Sequence, residues 1–167
     1  MPLKEIADSL SKVLDKEAEI YEKLLKISEH KTKVIVENKV AELEALVKEE
    51  QNHIAEIAKL EEERESLVQS AAESTGKDSE SLNITELAAM LPDNEAAKLR
   101  NSSRNISIIL ESLKNINELN GKLIKNALEY INFSINLLSG SSVSVSNYEN
   151  TGNIDGQKSR SMFDLKL

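Results

Sequence analysis

The chain has 167 residues, enough for one domain with a sizeable core. Its 29 acidic and 21 basic residues give a formal net charge of −8, and its aromatic share is 3% with no Trp, which argues against a nucleic-acid surface. Absence of Cys removes disulfides, thiolate catalysis, zinc ribbons and iron–sulfur clusters, and 40% hydrophobic with 30% charged residues suits long packed helices.

The chain starts Met1-Pro2-Leu3-Lys4-Glu5 and reaches charge at once, without the apolar core of a signal peptide. No apolar run approaches eighteen residues, so no membrane insertion is expected, and the expected location is the cytoplasm.

Between residues 3 and 75 there is neither Gly nor Pro. Ile6, Leu10, Val13, Glu17, Ile20, Leu24, Ile27, Lys31 and Val34 follow one another in steps of four and three, the spacing of one helical seam. Glu19–Lys23, Glu22–Lys26 and Glu29–Lys33 lace the wet face in the favourable order. A second seam follows: Leu43, Leu46, Glu50, His53, Ile57, Leu60, Arg64 and Leu67. It is out of phase with the first, since Val34 and Leu43 lie nine apart. Either a sharp turn at Asn38 or one helix with a phase slip fits. Asn accepts the left-handed conformation and the Val34-Ile35-Val36 run weakens continuation, so the break is favoured, giving two antiparallel helices over about 3–37 and 39–72.

Ser74-Thr75-Gly76 reads as a stop, and residues 73–85 as a connection. Thr85–Leu91 has the composition of a short helical turn before Pro92, and Asp93 is the expected N-cap of a helix over about 93–139. Its seam runs through Leu99, Ser103, Ile106, Leu110, Leu113, Asn117, Asn120, Ile124, Ala127, Ile131, Ser134 and Leu138. Gly121, inside this helix, suggests close packing or a bend. Asn117 and Asn120 on the seam are candidate register-setting amides. Beside it Ile109, Ile116, Leu123, Tyr130 and Leu137 recur every seven residues, a second stripe that needs its own cover: a partner helix, or the core itself. Residues 140–167 are Ser-, Asn- and Gly-rich and are expected to form a flexible tail, although Tyr148, Ile154, Met162, Phe163, Leu165 and Leu167 punctuate it.

Candidate chemistry is sparse. Glu50-x-x-His53 has the spacing of a di-iron ligand pair but lacks a second copy, because Ile27 stands three before His30. A seam His paired with a neighbouring acid is the better account. His30 offers a phosphorelay candidate without the Gly that would admit a partner domain, and Glu61–Glu65 radiates around its helix. No metal, no cofactor and no catalytic constellation is expected, and hence no enzyme.

The expected architecture is all-α: a long antiparallel helical hairpin or bundle with coiled-coil-like packing, over residues 3–139, followed by the tail. Leu24-Leu25, Leu43-x-x-Leu46-x-x-x-Glu50, Leu60-Glu61-x-x-Arg64-x-x-Leu67 and Asn117-x-x-Asn120-Gly121-x-Leu123-Ile124 are followed by Tyr148 with Gly152 and Gly156. In this run of motifs the chain resembles the FlgN family of flagellar type III export chaperones. That resemblance implies a cytoplasmic protein that binds the C-terminal helical segments of hook-associated proteins, prevents their premature polymerisation and delivers them to the export gate and its ATPase complex. The client face would comprise Ile116, Leu119, Leu123, Ala127, Tyr130, Phe133 and Leu137, and Tyr148 matches a tail tyrosine associated with gate docking. The alternative is a coiled-coil module that only self-associates, as a homodimer or larger.

Overall fold

A computed structural model describes residues 2–140; Met1 and residues 141–167, Tyr148 among them, lie outside the described part. Among the described residues there are four helices: α1 (Leu3–Val36), α2 (Val40–Thr75), the short α3 (Ile84–Ala89) and α4 (Asp93–Leu138). The protein is all-helical among the described residues, with long helices packed side by side.

The break at Asn38 is real. Asn38 adopts φ 55°, and two bonds close the turn: Asn38 N–H donates to Ile35 C=O (3.2 Å) and Lys39 N–H to Val34 C=O (2.9 Å). This is the Schellman arrangement, which satisfies carbonyls the ending helix would orphan. Helix α2 ends similarly at Gly76 (φ 69°), with Lys77 N–H donating to Ala72 C=O at 3.1 Å.

The connection is shorter than expected because α2 continues to Thr75, and the short helix expected at Thr85–Leu91 is α3, which begins at Ile84. Asn83 caps α3, its Oδ1 accepting from Glu86 N–H at 2.9 Å. Leu82, Leu87 and Ala88 are buried there, and α3 packs on α4. Pro92, rather than Asp93, takes the cap position of α4; its carbonyl accepts from Ala96 N–H, and Asp93 is the first helical residue. Asp93 and Glu95 still complement the positive end of the helix dipole.

Pairings between helices give the topology. Glu17 meets Arg64 and Lys31 meets Glu50, so residue numbers run oppositely in α1 and α2. Lys4 meets Glu95, Asp8 meets Lys98, Ser28 meets Asn117 and Thr32 meets Asn120, so α1 and α4 run parallel. The chain goes up, down and up again, with α1 packed against both α2 and α4.

This central position explains why α1 carries two seams. One, Ile6, Leu10, Val13, Glu17, Leu24, Ile27 and Val34, is buried, and its Glu17 and Lys31 meet α2. The other, Ala7, Ser11, Leu14, Ala18, Tyr21, Ser28 and Ile35, is buried too, and its Ser28 meets α4. Ile6, Leu10, Leu14, Ile57, Leu99, Ile106 and Leu113 are the largest apolar side chains that are fully buried in the core. A smaller apolar cluster of Ile27, Val34 and Leu46 fills the hairpin tip.

Candidate interaction surface

Two α1–α4 contacts at the N-terminal ends are ion pairs on the surface. Hydrogen bonds from Lys12 and Lys98 hold the Asp8 carboxyl at about 2, below the ordinary carboxylate range. Deeper in, Glu17 is buried against Arg64 Nε at 3.2 Å. Burial pushes the Glu17 carboxyl up, and the guanidinium opposes that rise. Burial also pushes the neighbouring Tyr21 phenol up to about 12.

Towards the upper end the α1–α4 contact turns polar. Asn120 is 3% exposed; its Nδ2 donates to the Ser28 carbonyl at 2.8 Å and its Oδ1 accepts from Thr32 Oγ1 at 2.6 Å. Asn117 Oδ1 accepts from Ser28 Oγ at 2.9 Å. Both seam amides thus bond across to α1, in an arrangement that a shift by one turn would break.

Above Asn120 helix α4 loses its cover. Thr32 aligns with Asn120 and α1 ends at Val36, so α4 outruns α1 from about residue 126 to Leu138, roughly 20 Å of helix. The overhang is apolar on two sides. Of the expected seam, Ile124, Ile131 and Leu138 are exposed and Ala127 and Ser134 half-buried, and Leu128 and Ile135 beside it are exposed too. About a third of a turn away lie Leu119, Tyr130, Phe133 and Leu137, also exposed, with Tyr130 at 73%.

The expected client residues therefore fall into two groups. Ile116 is half-buried against the main core, and Leu123 and Ala127 are half-buried beside the hairpin tip. Leu119, Tyr130, Phe133 and Leu137 face solvent. Between the tip and α4 lies an apolar groove of about 470 Å³, lined by Ile35, Val36, Val40, Leu123, Tyr130 and Ile131 among others. Val36 and Val40 were absent from the sequence-derived face. They are large apolar residues on either side of the Asn38 turn, and that flanking position is the signal that marks them.

Gly121 is exposed, and a Cβ there would meet nothing within 4 Å, so close packing does not explain it. The Glu50–His53 pair holds no metal arrangement. Both Glu50 oxygens accept from Lys31 Nζ, at 3.1 and 2.9 Å, and His53 Nδ1 pairs with Glu56 at 3.3 Å. Among the described residues no group of three or more His, Asp or Glu side chains could hold a metal ion. None of their helices is long and apolar enough to cross a membrane.

Among the described residues, then, one helix of an all-helical bundle ends in an apolar overhang, a surface of the kind that another chain can cover. Comparison with known proteins specifies the class: residues 1–156 match the FlgN protein family, and the chain belongs to it. FlgN proteins are flagellar export chaperones that bind hook-associated proteins, and the family is one of chaperones rather than enzymes. The chain is also similar to YvyG of Bacillus subtilis (strain 168), described as an uncharacterized protein, at 30% identity over 119 residues, 71% of this chain and 72% of that one. No solved structure matches.

Proposed function

We propose that this chain is a cytoplasmic chaperone that holds the C-terminal helical segments of hook-associated proteins against the upper part of α4. One observation carries the reading: α4 runs past α1 while keeping Tyr130, Phe133 and Leu137 on its surface. An amphipathic client helix laid along Leu119, Leu123, Tyr130 and Phe133 would bury its own apolar stripe and lose the means to polymerise early. Ile116 and Ala127 border that face, and the amide bonds of Asn117 and Asn120 to α1 hold it in place. By the family resemblance, Tyr148 docks the loaded chaperone on the export gate and its ATPase complex.

Calorimetric titration of client C-terminal segments into the chain tests this directly. The expected result is 1:1 binding with a negative heat-capacity change. Leu123→Asp with Tyr130→Asp should abolish it without unfolding the protein, because Tyr130 is exposed and Leu123 is only half-buried. Retained affinity in that folded double variant would refute the assignment. The Tyr148→Ala variant should bind client normally yet export it poorly. The competing reading, a self-associating structural coil, draws on the 4-3-4-3 spacing of Ile124, Leu128, Ile131, Ile135 and Leu138. It predicts a stable dimer or larger by light scattering and no client binding.

A further inference from the structure

The hairpin-tip groove is large enough for more than one big side chain, and its walls are exposed: Val36, Val40, Tyr130 and Ile131 all stand open to water. A helix overhang of this kind lacks the tertiary packing that supplies most helical stability. The chain itself contains a segment of fitting chemistry. Residues 162–167, Met-Phe-Asp-Leu-Lys-Leu, alternate apolar Phe163, Leu165 and Leu167 with charged Asp164 and Lys166. In extended form such a strip presents one apolar edge and one wet, charge-balanced edge.

We infer that residues 162–167 of the same chain occupy the groove between the α1–α2 tip and α4. Reach supports this occupant. Helix α4 ends at Leu138, and Gly140 follows with φ 65°. The groove centres on residues 123–131, roughly 15–20 Å back along the helix. The spacer from residue 141 to 161 is rich in Ser, Asn and Gly, and a chain of that length and composition spans about 25 Å on average. A spacer matched to its span gives an effective concentration in the millimolar range, so even a weak apolar contact is populated. Phe163 then fills the groove between Val40 and Tyr130, and the segment shields the apolar surface when no other chain is bound. Its consequence, that a client must displace the segment from Leu123 and Tyr130, rests on the proposed function; the docking itself does not.

The chain has no Trp, so Phe163→Trp places a single reporter in the full-length protein. Its emission should be blue-shifted and several-fold less accessible to acrylamide than in a free peptide of residues 158–167 carrying the same substitution, and both should be independent of protein concentration. Adding Val40→Asp, at a residue 74% exposed and outside the client face, should return the reporter to free-peptide behaviour with helicity unchanged. Free-peptide emission in the unaltered groove would overturn the inference. So would protection that disappears on dilution, which would make a second copy the occupant. Client titration of the same proteins separates the two ideas: a buried reporter without client binding refutes only the chaperone face, and client binding with an exposed reporter refutes only the docking.

Discussion

Asn120 offers the sharpest test of how α4 is held. The Asn120→Ala substitution removes two interhelical bonds, one donated to the Ser28 carbonyl and one accepted from Thr32 Oγ1. Neither partner is orphaned, because Thr32 Oγ1 also lies 3.2 Å from the Ser28 carbonyl and can give it the whole proton. The loss is therefore about two net hydrogen bonds, ~2 kcal/mol, without the further penalty of a stranded polar group. The Asn120→Asp substitution keeps the acceptor for Thr32 but sets a carboxylate oxygen against the Ser28 carbonyl in a buried site. It should cost more than Ala, by ~1–3 kcal/mol at neutral pH, and recover as the carboxylate is protonated. Urea unfolding followed by far-ultraviolet circular dichroism gives both values. A double-mutant cycle with Thr32→Val should return a coupling of about 1 kcal/mol. Equal stability of wild type, Asn120→Ala and Asn120→Asp would refute the idea that this amide fixes the α1–α4 register.

Arg64→Met should destabilise by ~3–5 kcal/mol because it strands the buried Glu17, while Glu17→Met combined with Arg64→Leu should recover most of the loss in the same unfolding assay. With Arg64 gone the Glu17 carboxyl rises further, so the defect should narrow as pH falls towards the carboxylate range and widen as it rises. The Tyr21 phenol, pushed from 10.0 to about 12 by burial, favours the folded state fully below pH 10 and progressively less as pH climbs through 12; Tyr21→Phe should remove that decline from the thermal stability profile. Gly121→Ala has open space for its methyl group in an exposed helix interior, and should stabilise by roughly 0.5–1 kcal/mol, read as a higher melting temperature.

Much of the fold was legible because the seams are strict. Every position of the α2 seam from Leu43 to Leu67 is buried or half-buried, and the nine-residue step between Val34 and Leu43 marked the turn that Asn38 makes. The second seam of α1 was harder to see. Ala7, Ser11, Ala18 and Ser28 are too small or too polar to register as hydrophobic, yet small residues are what permit a neighbour to approach closely on that side. The end of α3 and the cap of α4 depend on where Leu82, Leu87 and Pro92 sit relative to α4, which spacing alone does not encode. On the candidate surface the sequence marked Asn117 and Asn120 as seam amides but not their partners. It marked the apolar stripe but not the level at which α1 stops covering it. That level is set by the stagger between α1 and α4, a tertiary quantity carried by pairs such as Thr32–Asn120.

The position of those amides divides α4 by physical role. Asn120 is the last buried residue of the helix, and beyond it large apolar residues continue for about five turns, the last three of which, from about residue 126, run past the end of α1. A helix that served only to close the bundle would turn polar once its partner ended, since polar residues there cost the fold nothing and lower the risk of aggregation. Instead Ile124, Leu128, Ile131, Phe133 and Leu137 stay apolar at a level where they contribute little to the isolated chain. Apolar-to-polar changes should accordingly change character at Asn120. Below it, as at Leu113 or Ile106, they unfold the protein; above it, as at Phe133 or Leu137, they leave the melting temperature nearly unchanged and alter what the helix can bind. A uniform loss of stability along the whole helix would mean that the overhang is packed in the isolated chain after all, and that its apolar side chains serve the fold.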